Sequence, residues 1–377
     1  MLLAVVFARA DDAPTNGPRE PRWLVGDLHV HASPPDAAGH ASQTVAAAIA
    51  AARKAGLDFM SITPHDADRH YPDPRDPTKP EVSGQRLVEL VAEDATRPVP
   101  AGTVDMETRP IVVIAGWEFT RESPGHLGIS FARVEDLASS APADKAKAAL
   151  AKGALVVVNH PFFRPVASDL PLMKLLTGDR RWRPFFGEGK DDLAWNAIEV
   201  WHERSVLVQK IHQGLATKFR DTQMIASSLG AWDDATRMQR RRITAVGGSD
   251  CHGKPPYAVS PMRMLSVRTD AFDADGLRRG LLAAHVTFGR DGGPAARDFA
   301  ATSDAAGEKA SIGDALRAKS EVRLTWSGKA LLVENGERVG DFEGGAVRKL
   351  ASPGAFAFWR IEKSGDAYSN MIYANLP

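Results

Sequence analysis

The chain has 377 residues, of which 44% are hydrophobic and 25% charged, and its formal net charge is zero. This ordinary globular composition is long enough for one large domain and a small one, and its balanced charge gives no basis for binding a nucleic acid. No apolar run approaches the length of a membrane span. The single cysteine, Cys251, excludes internal disulfides and cysteine-cluster metal sites.

Residues 1–21 are predicted to be a leader and a linker. An apolar stretch at residues 2–7 precedes Ala8-Arg9-Ala10, which fits the small-x-small pattern of a signal-peptide cleavage site. The apolar core is short and the basic n-region is missing, so the pattern indicates a truncated secretory signal. It predicts a periplasmic or secreted protein, and the alternative is the frayed N-terminus of a cytoplasmic protein.

A pair of histidines follows the first apolar run after this linker. The run predicts a strand on which His29 and His31 are two positions apart, so their side chains share a face. Residues 42–56 predict a helix that stops at Gly56, and residues 57–63 predict a second strand, followed by His65. Imidazoles therefore stand where the strands end, which is the edge at which α/β folds build their sites.

The later strands also end close to metal-binding residue types. Apolar runs predict strands at 111–115, 127–132, 154–158, 197–201 and 243–246. Near their ends stand Glu118, His126, His160, Asp250 and His252. About seven strands that mostly alternate with helices predict a parallel α/β barrel over residues 22–292.

The pattern changes at about residue 293. Short strand candidates at 321–326, 331–334, 355–361 and 371–374 are separated by turn signals, among them Ser327-Gly328, Asn335-Gly336 and Gly344-Gly345. This pattern predicts a small β-sandwich-like domain over residues 293–377.

Three features of the barrel region resemble the opening of the PHP (polymerase and histidinol phosphatase) family of metal-dependent hydrolases. They are the G-D-L-H-V-H motif, His40 placed 25 positions before His65, and the I-T-P-H-D motif, in which Pro64 stands where the family commonly has Asp. The resemblance implies a distorted (β/α)7 barrel. The G-R-D-G-G-P segment and the β-rich tail further resemble the often-secreted branch that includes carbaryl hydrolase.

Nine imidazole and carboxylate donors exceed the three or four that one ion needs, so two or three divalent ions (Zn, Mn or Fe) are expected. The resemblance implies a first site of His29, His31, Glu118 and Asp250, with Glu118 bridging to a second site. It assigns His126 and His160 to that second site and His40, His65 and His252 to a third. Asp36 is a rival for His40, because many members have Asp-Gly shortly after the paired histidines.

Several other residues receive weaker interpretations. We expect catalytic roles for Glu118, Asp250 and His252, and Lys254 or Arg263 could contact an anionic substrate group. Residues 180–186 read either as a lid or anion clamp or as a solvated loop. Glu199 is expected to support the sixth strand, and Cys251 to face away from the site and be inert. The remaining histidines are predicted to be structural or solvated, namely His70, His202, His212 and His285.

The donor set predicts a hydrolase of a small-molecule substrate. Clustered cations make hydroxide available near neutral pH, so the favoured reaction is hydrolysis of a phosphoester by a metal-bridged hydroxide. The same ligands would serve a carboxylester, amide or carbamate hydrolase, and a non-catalytic metal-holding binding protein is a further alternative. The sequence contains no G-x-S-x-G motif, which would indicate a serine nucleophile. It also contains no G-x-G-x-x-G or Walker motif, which would indicate a nucleotide cofactor.

Overall fold

The computed structural model describes residues 20–96, 109–120, 126–138, 140, 144–161, 195–202, 224–253, 261–305, 307–364 and 367–377. Four predictions made above fall outside these ranges: most of the leader, the role of residues 180–186, the substrate contact of Lys254 and the assignment of His212. Within the described ranges, no helix is both long and apolar enough to cross a membrane.

The helices begin where polar side chains can accept backbone N–H groups. Thr44, Ser83 and Asp273 cap three of them through their side-chain oxygens. The first helix ends with Arg53 and Lys54, which suit the negative end of its dipole. The α-helices are α1 Val45–Lys54, α2 Gly84–Ala95, α3 Lys145–Ala151, α4 Met224–Gln239 and α5 Ala274–Leu282. The 3-10 turns are Glu135–Leu137, Arg290–Gly292 and Pro294–Ala296.

The first sheet contains the amino-terminal strands of the site. Its parallel strands are β1 Arg22–Val30, β2 Phe59–Ile62 and, beyond the short hairpin of β3 His70–Tyr71 and β4 Val82–Ser83, β5 Val112–Ala115. On the other side, β1 pairs in antiparallel fashion with a strand from much later in the chain, β11 Leu265–Thr269, which pairs with β12 Val286–Gly289. All residues of β2 are buried, as expected for a strand covered on both faces.

A second sheet carries the remaining site residues. Its order is β10-β9-β8-β7-β6, from strands β6 Trp117–Phe119, β7 Leu127–Ser130, β8 Leu155–Val158, β9 Ala197–His202 and β10 Thr244–Gly248. The β8, β9 and β10 strands are parallel, whereas β7 is antiparallel to both of its neighbours. The sequence analysis predicted parallel strands throughout, so β7 is a correction.

Both edges of the second sheet meet the first sheet, without one closed, paired barrel among the described strands. At one edge β5 is joined to β6 by the single residue Gly116. The backbone of Gly116 lies close to Thr63, because an added Cβ would be 2.9 Å from Thr63 Cγ2. At the other edge the contact is an isolated bridge between Val30 and Cys251, where Asp250 N donates to His29 O and His31 N donates to Cys251 O, both at 2.8 Å. The α/β class is therefore present, while the predicted (β/α)7 barrel is not confirmed.

The C-terminal strands continue the first sheet instead of forming a separate one. The connection is the antiparallel pairing of β12 with β19. The strands are β13 Ala300–Ser303, β14 Lys309–Ser311, β15 Ala315–Leu316, β16 Glu321–Glu334, β17 Glu337–Lys349, β18 Ala357–Lys363, β19 Ala367–Ser369 and β20 Ile372–Ala374. They enclose a core of their own around Phe299, Leu332 and Trp359. The limits 22–292 and 293–377 stay a prediction.

The turn signals of this region have different outcomes. Asn335 and Gly336 both have positive φ, 51° and 87°, and connect β16 to β17 as a two-residue hairpin turn. Gly328, predicted to end a strand, instead lies inside β16, where the pairing with β17 shifts register between Thr325 and Lys329. A glycine in a strand also marks a bulge, and here a bulge lets one strand continue where two were predicted.

Candidate metal centre

The end of β1 points two imidazoles at one place. His29 and His31 are buried, and their Nε2 atoms lie 3.2 Å apart. Between them Val30 faces the opposite side and packs in a different core with Cys251. The alternation of the strand therefore separates ligand-type side chains from apolar ones, as predicted. Burial raises the pKa of the Cys251 thiol to about 11, which agrees with an inert role.

Glu118 lies on β6 at the middle of the cluster and is almost fully buried. Its Oε1 is 3.2 Å from His29 Nε2, 3.1 Å from His126 Nδ1 and 3.3 Å from His160 Nε2. Its Oε2 is 3.3 Å from the Nε2 atoms of His31 and His65. One carboxylate thus faces five imidazoles from four strand ends, more than a single tetrahedral ion could accommodate.

The segment after β10 completes the opposite side. Asp250 Oδ1 lies 3.2 Å from His31 Nε2 and 3.5 Å from His29 Nε2. His252 Nε2 lies 2.8 Å from His40 Nε2, and the His40 ring also approaches His65 with a centroid distance of 4.6 Å. All nine side chains predicted as ligands are therefore in one continuous cluster, although their individual roles stay predictions.

The donor set fits divalent ions. Four groups of three side chains have ligand atoms within 4.8 Å of one another: His31, His40 and His65; His29, His160 and Glu199; His29, His31 and Asp250; and His65, Glu118 and His126. Two ligands on one tetrahedral ion with bonds of about 2.0–2.1 Å are about 3.3–3.4 Å apart. The separations of 3.1–3.3 Å around Glu118 approach that spacing. Nitrogen and carboxylate oxygen donors suit zinc, manganese or iron.

Burial and neighbouring charges shift the pKa values of the side chains in this cluster. Burial opposes ionisation of Glu118, but the imidazoles of His126, His29 and His65 lower its pKa well below the ordinary value. Burial lowers the pKa of His65 to about 4, so its imidazole is neutral at neutral pH and can donate a lone pair. Burial also disfavours charge on His29, yet Glu118, Glu199 and Asp250 raise its pKa well above the usual value. A cation that binds His29 would therefore compete with a proton, so the affinity for divalent ions should rise with pH.

Access to the cluster is graded from floor to rim. The side chains of His29, His31 and Glu118 are at most 2% exposed, whereas that of His126 is 42% exposed. His40 is also exposed. The cluster is therefore open to solvent on the side of His126 and His40.

Local backbone geometry supports the arrangement. His160 and Asp250 have φ of 28° and 52°, in a region that non-glycine residues seldom adopt and that recurs at functional sites. Gly128 makes room for Asn159, because an added Cβ would lie 2.8 Å from Asn159 Oδ1. Asn159 Nδ2 in turn donates to Glu118 Oε1 at 2.9 Å. The sequence reasoning missed Asn159, although its place beside His160 at the end of a strand was a usable signal.

Three residues have different surroundings from those first assigned. Glu199, expected to support its strand, contacts His29 and the backbone of His160. Asp36, considered as a rival of His40, contacts His31 and the backbone of His65. His202, left as structural or solvated, is buried with its Nε2 3.5 Å from Asp250 Oδ2 and its ring 5.3 Å from that of His160. It follows Glu199 at the end of β9, so the strand-end rule could have found it.

Three residues among the described ranges lie outside the cluster: Arg263, His70 and His285. Arg263, proposed above as a substrate contact, donates through Nε to Ala55 O at the C-terminal end of α1, 3.1 Å away. His70 is an exposed residue of β3. His285 Nε2 lies 2.8 Å from Asp314 Oδ1 on another part of the protein. The predicted contact of Arg263 with an anionic substrate group is therefore not supported by its position.

Comparisons with known proteins give limited similarity. No protein-family model matches the chain, and no curated protein matches it. Among solved structures, it is similar to the crystal structure of a two-domain protein containing a predicted PHP-like metal-dependent phosphoesterase from Bacteroides vulgatus ATCC 8482. The sequence identity is 15%, the alignment covers 93% of this chain and 95% of that chain, and the TM-score is 0.43.

His40 offers a test of the number of ions. We expect His40→Ala to remove about one equivalent of metal and to slow the predicted hydrolysis without abolishing it, because the donors around Glu118 remain. Elemental analysis and steady-state rates measure the two effects, with His70→Ala as the control for loss of an exposed histidine. Unchanged metal content in His40→Ala would contradict a third ion held by His40.

Proposed function

We propose that the protein is a metal-dependent hydrolase of the PHP type that acts on a phosphoester. The observation that carries this proposal is the position of Glu118 among five imidazoles, at 3.1–3.3 Å. A buried carboxylate shared in this way suits a centre of more than one divalent ion. Two-ion centres are suited to phosphoester hydrolysis, because they stabilise both the attacking and the leaving oxygen of an in-line displacement.

The same proposal extends to the fold. The continuity of β5 and β6 and the hydrogen bonds between β1 and residues 250–251 support a distorted (β/α)7 barrel of the PHP kind. The paired histidines on β1, His65 after β2 and Asp250 after β10 would then stand at one mouth of that barrel. The number of ions, two or three, and their identity as zinc, manganese or iron belong to the proposal as well.

The proposed role of each ligand depends on its depth in the cluster. His29, His31, Glu118 and Asp250 would hold ions at the buried floor, while His126 and His160 would hold them nearer to solvent. His40, His65 and His252 would complete the set. Bound divalent ions supply a nucleophile at neutral pH and stabilise charge developing on a phosphoester. The buried floor excludes bulk water from one side, which strengthens electrostatic interactions there.

Metal analysis combined with a substrate panel tests this function. We expect purified protein to contain at least about two equivalents of divalent metal, since a single ion needs only three or four of the nine donors. Prolonged dialysis against a chelator should abolish hydrolysis of p-nitrophenyl phosphate or bis(p-nitrophenyl) phosphate, and re-added Zn²⁺ or Mn²⁺ should restore it.

The other functions predict different results in the same panel. Preferential hydrolysis of p-nitrophenyl acetate or a naphthyl carbamate would replace the phosphoesterase assignment with an ester or carbamate hydrolase on the same centre. Stable metal content without hydrolysis of any panel member would favour a metal-holding binding protein. Absence of bound metal, with no response to added metal, would contradict the metal centre itself.

A further inference from the structure

Two buried carboxylates outside the nine predicted ligands contact the paired histidines of β1 in the same manner. Asp36 Oδ2 lies 2.7 Å from His31 Nδ1, and Glu199 Oε1 lies 3.1 Å from His29 Nδ1. Both carboxylates are at most 3% exposed. The two residues come from unrelated parts of the chain, one from the loop after β1 and the other from β9, yet they make equivalent contacts.

The second oxygen of each carboxylate accepts a hydrogen bond from the backbone of another histidine of the cluster. Asp36 Oδ1 accepts the backbone N–H of His65 at 2.8 Å, and Glu199 Oε2 accepts that of His160 at 2.7 Å. Each carboxylate therefore orients one imidazole on β1 and fixes the backbone of another cluster histidine at the end of a different strand. Both side chains use their two oxygens as acceptors, which only a carboxylate can do.

This arrangement determines which ring nitrogen faces the centre. An ionised carboxylate accepts hydrogen bonds and cannot donate one, so Nδ1 of His29 and of His31 must carry the hydrogen. In the neutral ring Nε2 then has a free lone pair. The two Nε2 atoms are the ones that lie 3.2 Å apart and face Glu118 and Asp250. Carboxylate–histidine pairs of this kind fix the tautomer and orientation of metal-binding imidazoles.

The sequence also leaves space for the Glu199 contact. A Cβ at Gly248 would overlap Glu199 Oε1 and would lie 2.5 Å from His29 Cβ. Because Gly248 lies on β10 beside β9, any side chain there would displace the carboxylate from its histidine. Only glycine at this position is compatible with the Glu199–His29 pair.

We propose that Asp36 and Glu199 are paired positioning residues that hold His31 and His29 with Nδ1 protonated and Nε2 directed at the metal centre. This inference rests on the proposed function for its consequence, the affinity for metal, but the Nδ1–H hydrogen bonds themselves can be measured without metal.

The test compares amide variants with a matched carboxylate–histidine pair elsewhere. In Asp36→Asn and Glu199→Gln the side chain keeps its size but has one donor group, which must face either the imidazole or a backbone N–H. We expect each variant to bind Zn²⁺ about 10–100-fold more weakly in chelator competition. Asp314→Asn removes the carboxylate of the His285 pair, outside the cluster, and should leave Zn²⁺ affinity unchanged.

Nitrogen-15 NMR supplies a readout that general structural damage would not imitate. In zinc-loaded wild-type protein we expect hydrogen on Nδ1 and none on Nε2 of His29 and His31, and in metal-free protein we expect the Nδ1–H group of both rings to be hydrogen-bonded. Each amide variant should lose this signature at its own histidine and keep it at the other. Gly248→Ala should reproduce the Glu199→Gln pattern at His29 and leave His31 unchanged.

The outcomes separate this inference from the proposed function. Zinc-loaded wild-type protein with hydrogen on Nε2 of either ring would overturn the inference, and so would amide variants with unchanged Nδ1–H signals and Zn²⁺ affinity. Neither result would affect a wild-type enzyme that binds metal and hydrolyses phosphoesters. Conversely, wild-type protein that binds no metal would overturn the proposed function, while the metal-free spectra would still show whether the Nδ1–H group of each ring is hydrogen-bonded. The wild-type spectra need no variant, so a variant that fails to fold does not prevent the decision.

Discussion

Glu118→Gln should reduce hydrolysis by more than about 100-fold and release metal. Loss of an outer-shell partner of a metal ligand typically costs about 10–100-fold, and loss of a predicted direct ligand should cost more. Both oxygens of Glu118 face imidazole nitrogens, at 3.1–3.3 Å. Glutamine has nearly the same size but carries no charge, and its NH₂ group would face the imidazoles as a donor. Steady-state kinetics and elemental analysis on the same preparation measure both effects.

Glu81→Gln is the matched control, because Glu81 is an exposed carboxylate outside the cluster. It should leave the rate and the metal content unchanged. If Glu118→Gln retained the wild-type rate and metal content, Glu118 would not be a ligand, and a metal centre organised around it would be wrong. A variant that lost activity but kept all its metal would instead assign Glu118 to the reaction and not to metal binding.

Arg360→Met should lower the free energy of unfolding by about 3–5 kcal/mol, the usual cost of leaving one member of a buried ion pair without its partner. Arg360 on β18 donates through Nε and Nη2 to the two oxygens of Asp233 on α4, at 3.0 and 2.8 Å. Both side chains are only 4% exposed. The pair thus joins the C-terminal strands to the helix that packs beside β9. Chemical denaturation followed by tryptophan fluorescence measures the change.

Two further variants establish that burial is the cause. Arg237 pairs with Asp234 on the same helix, but these side chains are 54% and 55% exposed. Arg237→Met should therefore cost at most about 1 kcal/mol. The double variant Arg360→Met/Asp233→Leu should recover much of the lost stability, because the buried charge of Asp233 is removed and Glu362, the other partner of Arg360, keeps its ion pair with Arg338. Equal costs for Arg360→Met and Arg237→Met would contradict this account.

The sequence by itself determined which residue types stand at the strand ends. The apolar runs gave β2, β5, β8 and β9 close to their observed limits, because buried strands leave short continuous hydrophobic segments. Period-two alternation put His29 and His31 on one face and Val30 on the other. Helix α1 also began near its predicted start, since its Thr44 cap acts within one turn of chain. These are local properties, and each depends on a few neighbouring residues.

Only the tertiary structure decided how the strands pair. It also decided which residues contact the ring nitrogens that point away from the centre of the cluster. Glu199 is 170 positions away from His29 in the chain, and Arg360 is 127 positions away from Asp233. The pairing of β12 with β19, which joins the C-terminal strands to the first sheet, likewise depends on distant segments. Arg263 is close in sequence to Asp250 yet contacts the end of α1. Hydrophobic pattern specifies that a strand is buried, but its neighbours and the partners of its polar groups depend on how the whole chain packs.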